Sequence, residues 1–492
     1  MTRSPLGELL SGWLPAQRWF AGSGSRVTRV EITSDVALPG GTGLPSASAA
    51  PELRHLMADA WLGQEKVSYQ VPVGITAELP GELAAARIGA LPDGRIAYDG
   101  AADPRLTALL LRGIAAGRTA GPLRFAAEPG AIIDESAAGR ALPALASNTS
   151  VVFGDRAILK VLRRPFAGPH PDLEVPAALA RNGSKLVAAP LGWIELDAAG
   201  RAEAELTGDG ESVVLAILSR YFPGSTDGWS LATSSVSEPE PDFSLQARQL
   251  GETTARLHAE LAAAFGTSVL SRYALADLTD AMQAELTHAL RVVPALREHE
   301  AAVRSSYAAL AVPDAEVAVQ RIHGDYHLAQ VLSTQSGWVV LDFEGEPSVP
   351  LARRRGYAPA LRDVAGMLRS FDYAGRHEAL RRPDDRGLAD AAPTWIRRCQ
   401  DAFCSGYGQV LGADPLESAP MLRALILQKA VYEAVYEARH RPDWLPIPLA
   451  AIAEASRSAS RRGAVSPGLR SEGRATREGG ASGRPTGEQS KR

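Results

Sequence analysis

The sequence predicts an α+β protein of two lobes, the first of which carries a smaller N-terminal subdomain. Short apolar strands separated by turns occupy residues 147–218 and predict a twisted sheet. Residues 240–310 instead place apolar side chains at helical spacing. A chain of 492 residues is also too long for one ordinary hydrophobic core. The expected units are a cap subdomain over 1–90, the remainder of the N-terminal lobe over 91–220, a helical C-terminal lobe over 221–460 and a disordered tail over 461–492.

Composition excludes several classes of protein. Hydrophobic residues make up 45% of the chain and charged residues 22%, as in ordinary globular proteins. The formal net charge of −4 gives no basic bias, so nucleic acid is not expected as a partner. The sequence has no apolar run of 18 residues and no signal-peptide pattern at its start, so we expect no membrane span and no secretion. Cys399 and Cys404 are expected to be reduced thiols of a cytoplasmic protein.

The N-terminal subdomain contains two predicted strands, Val27–Thr33 and Val67–Val73. The second includes Pro72, which lacks a backbone N–H and therefore favours an edge position in a sheet. Trp19 and Phe20 could form an aromatic platform for a ligand. Packing in the core is the favoured interpretation, because large aromatic side chains dominate hydrophobic cores.

The most informative stretch begins at Arg321 and reads Arg-Ile-His-Gly-Asp-Tyr-His-Leu-Ala-Gln. Asp325 follows a His-Gly turn, Gln330 lies five positions later, and Asp342 follows the apolar strand Trp338–Leu341. Either fragment alone would be an ordinary turn or an ordinary strand end. Their order and spacing together are typical of the catalytic loop of a kinase.

This spacing assigns a chemical role to each polar residue. Phosphoryl transfer needs an aligned hydroxyl group and hard oxygen ligands for a cation, with little covalent chemistry by the protein. We therefore expect Asp325 to accept the proton of the attacking hydroxyl. Gln330 and Asp342 are expected to hold Mg²⁺ against the phosphates of ATP, with Glu344 as a further candidate ligand. His327 is a candidate contact for the phosphate acceptor.

A lysine on a predicted central strand indicates the nucleotide site. Lys160 lies within the apolar strand Ala157–Leu162, and a buried ammonium is costly unless it is paired. A kinase supplies a nucleotide phosphate and a helix carboxylate, here predicted to be Glu174. Alternatively, Lys160 is an edge lysine that reaches solvent, and Glu174 is a solvated acid that lies in the first turn because acids favour helix N-termini.

Two further segments are predicted to contact the nucleotide. The chain has no Gly-rich phosphate loop here, but a polar segment occupies the corresponding place, unless it is an ordinary turn. Its members, all candidate phosphate contacts, are Ser147, Asn148, Thr149 and Ser150. The strand Ser212–Leu218 is followed by a predicted hinge, where Arg220 and Tyr221 would meet adenine.

Two predicted helices beyond the catalytic stretch carry the candidate acceptor site. Arg362 and Asp363 begin one of them; they either form a structural pair with each other or face the active site and orient the catalytic loop, and Arg362 is a candidate acceptor contact. On the other helix, Met421–Arg439, one face carries a cation and two phenols, typical of a surface that binds a neutral sugar. Packing beneath the region of Trp444 is an equal alternative. The face consists of Lys429, Tyr432 and Tyr436.

Long motifs resemble the actinobacterial maltokinases along nearly the whole chain except its tail. They are Arg18–Gly22, Ser147–Asp155, Pro171–Val175, His323–Leu332, Gly337–Pro347, Leu361–Tyr373, Lys429–Arg439 and Arg441–Leu449. The resemblance implies a two-lobed, protein-kinase-like fold similar to that of the aminoglycoside phosphotransferases, with an N-terminal cap subdomain. It implies transfer of phosphate from ATP to maltose, giving maltose 1-phosphate for α-glucan and glycogen synthesis. Trehalose synthase is the candidate partner protein.

The same resemblance implies roles for individual residues. Asp325 would be the base, Gln330 and Asp342 the Mg²⁺ ligands, and Lys160 with Glu174 would orient the phosphates. The helix face that carries Lys429 would line the sugar site.

The sequence also departs from the family pattern. Ala329 stands where glycine is usual, Gln428 where an acid is usual, and residues 22–23 and 143–146 also differ. The departures leave the acceptor sugar open, with a glucosamine kinase or other sugar kinase as the alternative. A separate alternative is a catalytically silent nucleotide-binding regulator.

Overall fold

The computed structural model describes residues 4–21, 26–38, 51–142, 148–197, 212–238, 241–310, 316–346, 349 and 351–463, with the side chains of 351–352 and 458–463 excepted. Within these ranges the chain forms a cap with its own sheet, a lobe built on a larger sheet, and a helical lobe. Ser147, the departures at 22–23 and 143–146, and the predicted tail beyond residue 463 lie outside the described residues.

The cap packs one helix, α1 (Pro5–Trp13), against an antiparallel sheet. Its strands are β1 Val27–Ala37, β2 Glu52–Leu62, β3 Glu65–Thr76, β4 Arg87–Ala90 and β5 Ile96–Asp99. The strand order is β1-β2-β3-β5-β4, so the sheet continues past the expected limit at residue 90. Trp19 and Phe20 are buried against Tyr69 in the core of this unit, as the favoured interpretation predicted.

The position of Pro72 differs from the prediction. β3 lies between β2 and β5, so the expected edge strand is an interior one. Pro72 pairs with His55 of β2, whereas the ladder between β3 and β5 begins only at Val73. The missing backbone N–H is tolerated because the second neighbouring strand starts one residue later.

The rest of the N-terminal lobe is a seven-stranded sheet. Its strands are β6 Thr119–Ala120, β7 Leu123–Ala127, β8 Gly139–Ala141, β9 Thr149–Phe153, β10 Ala157–Val161, β11 Pro190–Leu196 and β12 Val213–Arg220. The order β6-β7-β11-β12-β10-β9-β8 leaves β10, the strand of Lys160, in the interior. Helix α2 (Pro104–Ala115) begins after Asp103, whose carboxylate accepts the Arg105 N–H, and helix α3 (Pro171–Arg181) begins similarly after His170.

The C-terminal lobe is mostly helical. Its helices are α4 Gly228–Val236, α5 Ser244–Phe265, α6 Arg272–Val292, α7 Glu300–Ala308, α8 Leu351–Arg354, α9 Leu361–Arg381, α10 Arg386–Leu411, α11 Ala419–His440 and α12 Pro446–Gly463. Its strands are β13 Thr226–Asp227, β14 Thr267–Leu270, β15 Val317–Gln320, β16 Val331–Thr334 and β17 Gly337–Val340. Short 3₁₀ turns add Leu14–Ala16, Gly81–Ala86, Gly100–Ala102, Pro294–His299, Leu328–Gln330, Pro415–Ser418 and Pro442–Trp444.

Helices α5 and α10 approach closely through two glycines. A Cβ at Gly251 would lie 2.0 Å from the Phe403 carbonyl oxygen, and one at Gly406 would lie 2.1 Å from that of Arg248. Any larger residue would force the helices apart, so these glycines fix the packing beneath the catalytic region.

Cys404, on the same α10, is a free buried thiol like Cys399.

In the part of the chain that the structure describes, no helix is both long and apolar enough to span a membrane.

Candidate active site

A cleft of about 470 Å³ lies between the seven-stranded sheet and the β16–β17 hairpin. It brings together residues that are far apart in the sequence, such as Asn148 and Glu344, which are separated by 196 positions. The predicted site residues that line it are Asn148, Ser150, Lys160, Arg220, Tyr221, Asp325, Gln330, Asp342 and Glu344. The nucleotide-side and metal-side candidates therefore share one enclosure, of a size suited to a small molecule.

The catalytic stretch runs through the cleft as loop, turn and strand. Gly324 has φ 86°, a left-handed conformation that glycine adopts without steric cost, and it turns the chain immediately before Asp325. The His323 imidazole lies 2.7 Å from the Leu341 carbonyl oxygen and so joins the loop to the end of β17. Asp342 has φ 56° and is the only non-glycine residue with positive φ among the described residues. This strained backbone aims its carboxylate into the cleft.

Asp363, at the start of α9, holds the catalytic loop. Its carboxylate accepts the backbone N–H groups of His323 at 2.8 Å and Gly324 at 2.9 Å. It is buried and lies 3.2 Å from His258 on α5. Burial alone would raise its pKa, but His258 and the loop donors keep the pKa below its ordinary value. Asp363 therefore orients the catalytic loop through two backbone hydrogen bonds.

Arg362, the neighbouring candidate, turns away from Asp363. Its guanidinium donates to the Gln428 amide oxygen on α11 at 3.1 Å, and Gln428 in turn donates to Glu285. The alternative of an Arg362–Asp363 pair is therefore wrong. Arg362 adjoins the helix that carries Lys429, on the acceptor side of the site.

Lys160 is paired, but its partner differs from the predicted one. Its ammonium lies 2.9 Å from Asp172, 2.7 Å from Asp342 and 2.6 Å from Glu344. Burial would lower its pKa, yet these three carboxylates raise it well above the ordinary value, so Lys160 stays charged. The other Asp172 oxygen accepts the Phe343 N–H at 2.9 Å, which ties helix α3 to the segment after β17.

Glu174 has a different function in the fold, and its predicted pairing with Lys160 is wrong. Its two carboxylate oxygens accept from Arg321 at 3.0 Å and from Arg355 at 3.1 Å. Asp172 and Glu174 both lie in the first turn of α3. A separation of two residues corresponds to about 200° of rotation around the helix axis, so the two side chains face different neighbours. The sequence prediction named only Glu174, whereas the acid of this helix that pairs with Lys160 is Asp172, two residues earlier.

Strand alternation separates the members of the polar segment. Ser150 is paired with Lys160 in the β9–β10 ladder and lines the cleft, and Asn148 donates to Glu344 at 3.2 Å. The Thr149 side chain points to the opposite face of the sheet, where its hydroxyl accepts from Arg163 at 2.9 Å. Thr149 therefore does not offer its hydroxyl to a nucleotide, in contrast to the prediction.

The hinge residues lie at the other end of the cleft. Arg220 ends β12, its N–H donates to the Ala189 carbonyl oxygen, and its guanidinium lies 5.1 Å from the Phe222 ring centroid. Tyr221 donates its N–H to the Arg156 carbonyl oxygen. Both residues line the cleft, in the position expected for contacts to adenine.

Three carboxylates in the cleft are close enough to share one cation. Oxygen atoms of Asp172, Asp342 and Glu344 all lie within 4.8 Å of one another. Carboxylate and amide oxygens are the ligands that Mg²⁺ prefers, so these acids with Gln330 fit that ion by chemistry. Asp172 was not among the predicted ligands, because a first-turn helix acid gives no metal signal in the sequence.

The acceptor side is centred on Lys429. Its ammonium lies 3.6 Å from an oxygen of Asp325 and 3.3 Å from one of Glu346. Burial would lower its pKa, but Glu346, Asp325 and Glu433 raise it, so Lys429 is a fixed cation beside the predicted base. The His327 imidazole lies 3.8 Å from the other Asp325 oxygen, and burial lowers its pKa, so it is neutral at pH 7.

The two tyrosines extend from Lys429 along α11. Lys429 lies 5.2 Å from the Tyr432 ring centroid, and the Tyr432 and Tyr436 rings are stacked at 6.5 Å. Tyr436 is 41% exposed, whereas Trp444 packs on Tyr373 and His377 instead. The stripe thus begins beside Asp325 at Lys429 and ends in the exposed ring of Tyr436. The Arg441 guanidinium lies 5.4 Å from the Tyr436 ring centroid and 4.2 Å from that of Trp444, so packing near Trp444 stays an alternative for that end of the stripe. Glu346 was not predicted and completes this side.

The fold and the site together define a kinase-type phosphotransferase. Residues 138–399 match the phosphotransferase enzyme family, and residues 13–103 match the maltokinase N-terminal cap domain. The chain therefore belongs to the phosphotransferase enzyme family. The predicted kinase-like fold with an N-terminal cap is confirmed, and so is the family resemblance drawn from the sequence.

Similar proteins include two glucosamine kinases. The one from Streptacidiphilus jiangxiensis is 33% identical over 321 residues, which are 61% of this chain and 70% of that protein. The one from Mycolicibacterium smegmatis (strain ATCC 700084 / mc(2)155) is 30% identical over 322 residues, 62% of this chain and 76% of that protein. A solved glucosamine kinase in complex with glucosamine, ADP and inorganic phosphate matches with a TM-score of 0.64 and 25% identity, covering 92% of this chain and 99% of that one.

Proposed function

We propose that the protein is an ATP- and Mg²⁺-dependent sugar kinase. The observation that carries the proposal is the shared cleft in which Asp325, Gln330 and Asp342 lie with Lys160. These four residues are of the types needed to accept a proton, to ligate a hard cation and to neutralise phosphate. A catalytically silent regulator would not need this complete set.

The mechanism follows from the positions of these side chains. Asp325 accepts the proton of the sugar hydroxyl, and the Lys429 ammonium lies 3.6 Å from one of its oxygens. Asp342 and Gln330 would hold Mg²⁺, with Asp172 and Glu344 as further candidate ligands, and a bound Mg²⁺ would supply positive charge for the phosphates. The Lys160 ammonium pairs with three carboxylates that line the cleft, and it would also contact a nucleotide phosphate bound there.

We further propose that the acceptor is a neutral sugar, maltose, phosphorylated at its anomeric hydroxyl. A protonated amine would need unpaired carboxylates in the pocket, because a buried cation is costly without them. Asp325 and Glu346 are already paired with Lys429, and Glu433 lies 2.7 Å from Arg369. The accessible rings of Tyr432 and Tyr436 suit the C–H faces of a sugar. The anomeric position rests on the resemblance to maltokinases.

Glucosamine is the second candidate acceptor. It is favoured by the two relatives and by the solved complex, each of which is a glucosamine kinase. For this chain to bind it, Asp325 or Glu346 would have to release Lys429 and accept the amine. Use of the product in glycogen synthesis, association with trehalose synthase and a cytoplasmic location stay predictions.

One experiment distinguishes these functions. The full-length protein is incubated with ATP, Mg²⁺ and each of maltose, glucosamine and glucose, and products are identified by ³¹P NMR. We expect an anomeric phosphate of maltose, abolished by EDTA and by Asp325→Asn, while the variant still binds ATP. Faster turnover of glucosamine would support the second candidate. No turnover with any sugar, or full turnover by the variant, would contradict the proposal.

A further inference from the structure

The cap reaches into the kinase sheet through Gln70, a 2% exposed residue on β3. Its side-chain amide donates to the Leu162 carbonyl oxygen at 2.5 Å and also to that of Leu215. Its backbone N–H donates to the Arg163 carbonyl oxygen at 3.0 Å. One cap residue therefore makes three hydrogen bonds to the backbone of the kinase lobe, one of them to strand β12.

Arg163 makes the reciprocal contact from the kinase lobe into the cap. Its side chain is fully buried, and its guanidinium lies 2.6 Å from Asp99, at the end of cap strand β5. The same group donates to Thr149 on β9 and lies 4.8 Å from the Trp19 ring centroid. A buried arginine is costly unless its donors are paired. Nε and Nη2 of Arg163 are paired with Thr149 and Asp99, whereas Nη1 has no hydrogen-bond partner among the described residues. The Asp99 pair ties the cap to the sheet.

These contacts converge on the strand that carries Lys160. Leu162 and Arg163 are the second and third residues after Lys160 and follow the end of β10. The Leu162 N–H donates to the Leu215 carbonyl oxygen of β12, the same oxygen that Gln70 binds. The cap thus clamps β10 to its neighbour immediately beyond the lysine.

We propose that the cap is a positioning element for the nucleotide site, in which Gln70 and Arg163 fix the end of β10 and hence the Lys160 ammonium. Lys160 has to lie within hydrogen-bonding distance of both its acids and a phosphate, so a displacement of about 1 Å in β10 would weaken both. Gln70 and Arg163 touch no reacting atom and act only through Lys160. The inference extends the proposed function and concerns the nucleotide, whichever sugar is the acceptor.

The sharpest variant is Gln70→Glu. It keeps the shape of the side chain but replaces the donating amide with an oxygen that faces two carbonyl oxygens. Binding of ATP with Mg²⁺ is measured by calorimetry on the full chain without sugar, so the result does not depend on the acceptor. We expect affinity for ATP to fall about tenfold and KM for ATP to rise equally, with KM for the sugar unchanged.

Two further variants keep the test decisive. Arg95→Ala removes an exposed cap arginine that pairs with Glu52 and Asp93, and it should leave ATP affinity unchanged. Arg163→Lys keeps the charge but loses the guanidinium fork, and it should weaken ATP binding even if Gln70→Glu does not fold. Unchanged ATP affinity in both folded interface variants, or equal increases in both KM values, would overturn the proposal.

Discussion

Lys160 and Asp172 form an ion pair of 2.9 Å between a central strand of the sheet and the first turn of helix α3. Because Asp172 also accepts the Phe343 N–H, it links the lysine to the segment that carries Asp342. Removal of this one charge should therefore disturb both the phosphate contact and the cation site.

We expect Asp172→Asn to lower kcat/KM for ATP by about 10- to 100-fold, because the amide no longer holds the Lys160 ammonium. The matched control is Glu174→Gln on the same helix turn. It should lower the free energy of unfolding by about 1–3 kcal/mol through its loss of charge beside Arg321, with a smaller effect on ATP. Steady-state kinetics and urea unfolding measure the two effects. Equal kinetic losses in both variants would contradict the assignment.

Asp363→Asn tests the anchor of the catalytic loop. The amide retains one acceptor oxygen, so one of the two N–H groups, of His323 or Gly324, loses its partner. We expect kcat to fall at least about tenfold with little change in KM, and stability to fall by about 1–3 kcal/mol. Kinetics at saturating ATP and sugar provide the measurement. A variant with wild-type kcat would show that the loop holds its shape without Asp363.

Lys429→Met tests the choice of acceptor. Loss of the ammonium leaves Asp325 and Glu346 unpaired, which suits a protonated amine and not a neutral sugar. We expect kcat/KM for maltose to fall by about 100-fold and the glucosamine-to-maltose ratio to rise. Arg439→Met is the control, since that cation on the same helix contacts His288 instead. An unchanged ratio would argue against a role for Lys429 in specificity.

His55 should make the stability of the cap depend on pH. Burial lowers its pKa to about 4 from 6.5, and its ring lies 3.0 Å from Gln70. As the pH falls from about 6.5 to about 4, the unfolded chain takes up a proton that the folded chain excludes. The free energy of unfolding therefore decreases by up to about 3 kcal/mol across that window, and this loss stops below it.

Urea unfolding of the wild type and His55→Gln between pH 7 and pH 4 measures this contribution. The variant should lose less stability than the wild type over the window, and His288→Gln, at an exposed position, should follow the wild type. Parallel curves for the wild type and His55→Gln would exclude His55 as the group responsible.

The accuracy of the sequence predictions depended on how far apart the interacting residues lie. The acids and amide between Asp325 and Asp342 were placed correctly in one cleft, because a turn and a hairpin fix their relation locally. The predicted partner of Lys160 was wrong. Asp172 and Glu174 both lie in the first turn of α3, and only the packing of the helix decides which of them points toward the sheet. The predicted contact of Thr149 with the nucleotide was wrong because the sequence does not show where β9 starts. The start of a strand decides which residues point to each face of the sheet.

By itself the sequence determined the chemical class of this protein, since the residues for phosphoryl transfer lie in one short stretch with locally fixed geometry. Only the tertiary structure decided which groups surround that stretch. Asp172, Glu346, Asp363 and Lys429 come from separate elements, and Gln70 comes from another sheet. Their contacts arise from packing between distant segments, and the periodicity of a helix or strand specifies a buried face but not the neighbour against which it packs.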